Sequence, residues 1–124
     1  MTEVLQTITL RDVLIAGDKA ISENTLTSHS YHCAEVCQYQ SPDGHTCIVG
    51  AAMTKETRDK LVELGKNDSL FTSLVRQEIL AASEDELAEL NRLQEIYDFY
   101  DFEEFTNYFY KVYNEYQQVH GALA

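Results

Sequence analysis

Six side chains able to hold a metal or act as nucleophiles fall within nineteen residues of this chain: His29, His32, Cys33, Cys37, His45 and Cys47. Thiolate and imidazole are the ligands zinc prefers. The spacing does not follow through. There is no C-x2-C pair, and C-x3-C with nine residues before Cys47 matches no common zinc ribbon. Free cysteines most often serve as small buried hydrophobes. Cys33, Cys37, Cys47 and His45 are therefore held as candidate ligands only, and no metal or other cofactor is expected. A redox pair or catalytic thiol is an alternative that proximity alone supports, since no nucleophile–base geometry can be deduced. Three cysteines cannot complete a disulfide framework, which points to reduced thiols and a cytoplasmic setting.

A second constellation is acidic. Residues 84–104 hold nine carboxylates against Arg92 alone, a local charge of −8 out of −12 for the whole chain. Asp98, Asp101, Glu103 and Glu104 are interleaved with Tyr97, Phe99, Tyr100, Phe102 and Phe105. Paired carboxylates can do acid–base work or hold a divalent cation. The plainer reading is a solvated helix–helix corner whose aromatics are core. The third is an interaction surface, because aromatics rimmed by charge are typical interface anchors. Such a field repels nucleic acid and anionic lipid and attracts a basic protein surface. No apolar run approaches the ~20 residues that span a bilayer.

These groups must be positioned by a small set of elements, and a single domain over 1–124 is expected. The fold class expected is α+β, mostly helical with about five helices and one central β-hairpin at about 35–49. Ser41-Pro42-Asp43-Gly44 carries turn chemistry. The register it sets pairs Ser41 with His45, Tyr39 with Cys47 and Cys37 with Val49. A short strand is read at Val4–Ile8. A helix follows at about 10–23, capped by Thr9. Thr54 caps the next, with Leu61, Val62 and Leu64 as its buried side and Gly65 as its stop. Asn67-Asp68-Ser69 caps a short helix near 70–79. Ser83-Glu-Asp-Glu86 and Asp101-Phe-Glu-Glu104 are capping boxes. The first opens a helix lined by Leu87, Leu90, Leu93, Ile96, Tyr97 and Tyr100. The second opens one striped by Phe102, Phe105, Phe109, Val112, Tyr116 and Val119. Tyr108, Tyr110 and Tyr113 fall off that stripe and predict a second aromatic surface, open to a partner or to a second copy in a homodimer.

At Cys37, Tyr39, Asp43, Gly44, Cys47, Val49 and Gly50, then Leu93-Gln94-Glu95-Ile96-Tyr97-Asp98 and Phe105, the chain resembles a group of small phage and prophage proteins. Their pattern is C-x-Y, a D-G turn, C-x-V-G, a capped helix, L-Q-x-I-H-D and an aromatic-led final helix. The resemblance covers roughly residues 35–118. Ala51 stands where such proteins often carry another Cys, and Tyr97 stands where they carry His. Both departures remove groups that a metal or catalytic role would use. The resemblance implies a phage accessory protein working in the cytoplasm of a bacterial host.

The expected function is that of a non-enzymatic binding or inhibitor protein, of anti-CRISPR or anti-restriction type. It would dock on the basic surface of a host nucleic-acid enzyme, without direct nucleic-acid or membrane binding. The residues expected to carry the contact are Glu95, Asp98, Tyr100, Asp101, Glu103, Glu104 and Tyr110. One alternative is a sponge for a nucleotide-like signal, stacked among Tyr39, Tyr97, Tyr100 and Tyr108. A second is a zinc-stabilised interaction module using Cys33, Cys37, Cys47 and a histidine.

Overall fold

The structure, a computed structural model, describes residues 4–26, 39–41, 45–67 and 69–123. The chain is mostly helical, with a two-stranded parallel sheet. Strand β1 (Gln6–Thr7) pairs with β2 (Leu80–Ala81), Gln6 opposite Leu80 and Thr7 opposite Ala81. The Gln6 side chain then reaches across the fold. Its Nε2 donates to the Ala52 carbonyl and its Oε1 accepts from the Thr54 N–H, both at 2.9 Å.

Four helices begin where a side-chain oxygen satisfies an orphan N–H of the first turn. Thr9 Oγ1 accepts from Asp12 N at the start of α1 (Leu10–Glu23). Thr54 accepts from Thr57 N before α3 (Lys55–Glu63), Ser83 from Asp85 N before α5 (Glu84–Phe99), and Asp101 from Glu104 N before α6 (Phe102–His120). Ser83 caps α5, but through the Asp85 N–H rather than the Glu86 N–H of a capping box. Glu86 Oε1 accepts instead from the Leu10 N–H at 2.9 Å, so the head of α5 caps the head of α1. Gly65 adopts φ +71 just past α3, the left-handed stop that glycine permits. Helix α4 is short (Phe71–Arg76), and its N-cap is Leu70, without a side-chain bond, rather than the Asn67–Ser69 segment.

The expected hairpin is not what the described part of 35–49 forms. The sheet is parallel and lies elsewhere, and Ile48–Ala51 is a helix, α2, with Cys47 as its N-cap. Ser41 N does bond the His45 carbonyl at 2.8 Å. The next rung fails. Tyr39 N donates to Asn67 O at 3.0 Å, Gln40 N to Asn67 Oδ1 at 3.0 Å, and Asn67 Nδ2 back to Gln40 O at 2.9 Å. The 39–41 segment is zipped to Asn67, not to Cys47. Residues 35–38 and the Pro42–Gly44 turn lie outside the described residues.

Helix α2 is central because it is apolar on every side. Ile48, Val49 and Cys47 are fully buried, and burial of each branched side chain is worth about 1.5–3 kcal/mol. It packs against α1 and α5, and α5 in turn packs against α6. Two glycines allow the approach. A Cβ on Gly17 of α1 would stand 2.7 Å from both Ile48 Cδ1 and Phe109 Cε1. One on Gly50 would stand 2.4 Å from the Tyr39 carbonyl oxygen.

Burial corrects several expected faces. Leu61 is fully buried, whereas Val62 and Leu64 are exposed, so α3 touches the core through Leu61 and Thr57. The α6 stripe is buried at Phe105, Phe109 and Val112 but exposed at both ends, at Phe102 and Val119. Tyr108, Tyr110 and Tyr113 do not form a second free surface. All three are partly buried against the core.

Candidate functional site

The most buried polar side chain of α5 is Gln94, whose environment links the interior to the surface. Its Oε1 accepts from the Val49 N–H at 3.2 Å, satisfying a first-turn donor of α2. Its Nε2 donates to Asp98 Oδ1 at 2.8 Å, one turn further along α5. Beside it Tyr39 is almost wholly buried, and its hydroxyl donates to the Ser69 carbonyl at 2.6 Å. Burial pushes the Tyr39 phenol far up, with Cys47 and Asp98 adding to the shift. These groups form one wall of a cleft of about 160 Å³ between α5 and the start of α4. Its rim carries Glu95 and Asp98, with Leu70 and Phe99 beside them.

Phe99, the last residue of α5, is 80% exposed. Leu70 is 60% exposed across the same cleft, and Tyr100 and Phe102, which follow Phe99, are also exposed. The helix ends here because Asp101 begins the next one, so the connection turns outward. Tyr97 and Phe105, in T-shaped contact at 5.1 Å, fasten the corner to the core from within. Glu95 and Asp98 line the cleft with Phe99, and Asp101, Glu103 and Glu104 follow in the N-cap and first turn of α6. Glu104 is held above the ordinary carboxyl range by a hydrogen bond with Asp101, by Asp101's charge, and by Glu103.

Of the expected contact residues, Glu95, Asp98, Tyr100, Asp101, Glu103 and Glu104 come together at this corner. Tyr110 does not. It lies eight residues beyond Phe102, about 12 Å along the helix, and its hydroxyl donates to Asp18 Oδ1 on α1 at 2.7 Å. Tyr108 likewise donates to Glu89 Oε2 at 2.7 Å and lies under the Arg92 guanidinium. Desolvation, and then the bonded carboxylate, pushes both phenols up to about 12. These tyrosines tie α6 to α1 and α5. Sequence reasoning placed Phe99 among the aromatics of the acidic stretch but not among the contact residues, and it did not assign Leu70 to the surface. The available signal was that Phe99 falls off the Leu90–Leu93–Ile96–Tyr97 stripe of its own helix.

The cysteine constellation is only partly described, because Cys33, Cys37, His29 and His32 lie outside the described residues. Cys47 is wholly buried, and its Sγ accepts from the Gly50 N–H at 3.4 Å. Burial pushes its thiol up to about 12, which leaves it a poor nucleophile at neutral pH. Among the described residues no three His, Cys, Asp or Glu side chains are grouped to hold a metal ion. The four tyrosines of the stacking alternative do not share a wall. Tyr39 and Tyr97 are interior, and Tyr108 is bonded to Glu89. Among the described residues no helix is long and apolar enough to cross a membrane. Comparison of the chain with protein-family models, with characterised proteins and with solved structures finds no match.

Proposed function

We propose that this chain is a non-enzymatic binding protein that docks on a basic protein surface through the α5–α6 corner. The observation that carries the reading is Phe99, 80% exposed between acids on a body of net charge −12. A large apolar side chain held outward at a helix end gains by being covered, at ~25 cal/mol per Å². The surrounding carboxylates select a positively charged cover and speed its encounter. The partner class that fits is the nucleic-acid-binding face of a host enzyme or defence component, which such a protein would occlude. This accords with the phage-type pattern of the sequence.

The test is affinity capture from host lysate with identification of the captured protein, repeated across a salt series. The expected partner carries a basic face and elutes as salt rises, because screening shortens the reach of the acidic field to about 10 Å at 0.1 M. Phe99→Ala should abolish capture. Neutralising Asp98, Asp101, Glu103 and Glu104 to their amides should slow association. Capture unaffected by both variants would overturn the reading.

A further inference from the structure

A cleft of about 210 Å³ lies on the other side of α2, between the second half of α1 and the start of α3. Its floor is made of small residues, Ala16 and Ala20 of α1 and Ala51 of α2, and Lys19, Glu23 and Arg58 line its sides. This is an unusual pairing of cations for a chain with only nine Lys and Arg against twenty-one acids.

Arg58 is held before any ligand arrives. Its Nη1 donates to the carbonyls of Gly50 and Met53, and its Nε donates to Gln40 Oε1 at 3.0 Å. Three of the five guanidinium hydrogens are thereby engaged, and among the described residues the two on Nη2 have no partner. Lys19 forms no ion pair with the described residues, although Glu23 lies one turn on. The neighbouring acids are committed elsewhere. Asp18 accepts from Tyr110, and Asp59 accepts from Lys55 and Gln40. Among the described residues Glu23 is the one carboxylate lining the cleft, leaving two cations against one anion there.

We propose that this cleft is a binding site for a small oxyanion, the carboxylate or phosphate group of a compact ligand. The Arg58 guanidinium, held in place by its other bonds, supplies the two diverging N–H donors of Nη2 beside a fixed positive charge, and Lys19 supplies a mobile point charge. A rigid donor loses little entropy on binding. Extended polyanions are excluded by the charge of the whole body and by Glu23. The site is separate from the α5–α6 corner, and its success or failure does not depend on the docking reading.

The experiment is an amide-resolved NMR titration of the full chain with inorganic phosphate and, separately, acetate, against sodium chloride at matched ionic strength. Saturable shifts at Lys19, Ala20, Thr25 and Thr46 and at Arg58 Nε, with a dissociation constant on the order of millimolar, are expected. Response to phosphate alone assigns a phosphate-bearing ligand, and response to both assigns oxyanions in general, either outcome supporting the site. Lys19→Gln, an exposed change, should weaken binding about fivefold, as loss of one partly exposed ion pair does. Arg58→Lys keeps the charge but loses the fixed Nη2 donors and the bonds that hold them, and should weaken it further. If that variant does not fold, Lys19→Gln alone decides. Shifts that match sodium chloride, or that survive Lys19→Gln unchanged, would overturn the proposal.

Discussion

Gln94 shows how much a single buried amide can carry. It is the acceptor for the Val49 N–H and the donor to Asp98, so replacing it by Leu leaves a buried N–H without a partner. The expected cost is about 1–3 kcal/mol, read as a lower urea midpoint at unchanged slope. Titration gives a second prediction at this scale. Cys47 moves from 9.0 up to about 12 on folding, and Tyr108 and Tyr110 from 10.0 up to about 12. A folded-state pKa above the unfolded one means that the unfolded chain releases its protons first as pH rises. The stabilisation is therefore complete below about pH 9 and is lost progressively between 9 and 12. Thermal melts over that range should show a falling midpoint. Cys47→Ala should remove the earliest part of the fall, leaving the tyrosine part to begin nearer 10. A midpoint independent of pH across the range would contradict the burial of these groups.

At the scale of elements, the structure turns on how closely α1 and the 39–41 segment approach α2. Gly17→Ala would normally favour a helix by about 1 kcal/mol. Here its methyl meets Ile48 Cδ1 and the Phe109 ring at 2.7 Å. The Ile48 terminus can swing, but the ring is fixed among Phe105, Tyr110 and Tyr113. Overpacking costs about 1–3 kcal/mol, so the clash outweighs the propensity. Net destabilisation in a melt is the expected outcome. Gly50→Ala meets a backbone oxygen that cannot rotate away, and it should cost more than Gly17→Ala. The reverse order would mean that the 39–41 segment does not rest on α2.

For the whole molecule, charge opposes compaction. Two thirds of the net −12 is confined to residues 84–104, which include all of α5 and the turn into α6. Screening should relieve this self-repulsion, so the melting midpoint should rise with sodium chloride. The variant with Asp98, Asp101, Glu103 and Glu104 changed to amides should show a shallower rise. Asn retains the N-cap role at position 101, so that comparison tests charge rather than helix initiation. An identical salt slope in the two proteins would show that the corner carries no concentrated field.

Local chemistry was enough to place most helices. Thr9, Thr54, Ser83 and Asp101 cap what they were expected to cap, because an N-cap bond spans two or three residues and needs nothing from afar. The buried middle of the α6 stripe was legible for the same reason. The acidic character of the corner was also written in the sequence, since charge is additive along the chain. The fate of Cys47-Ile48-Val49 was not. A short, branched, apolar run suits a strand or a buried helix equally, and the choice fell to Gln94, which bonds the Val49 N–H, and to Asn67, which takes the Tyr39 N–H, both distant in sequence. Nor could periodicity show that Tyr108 and Tyr110 would turn inward to Glu89 and Asp18 while Phe99 turned outward. An apolar side chain is covered only if another element arrives to cover it, and that arrival is a property of the packed fold.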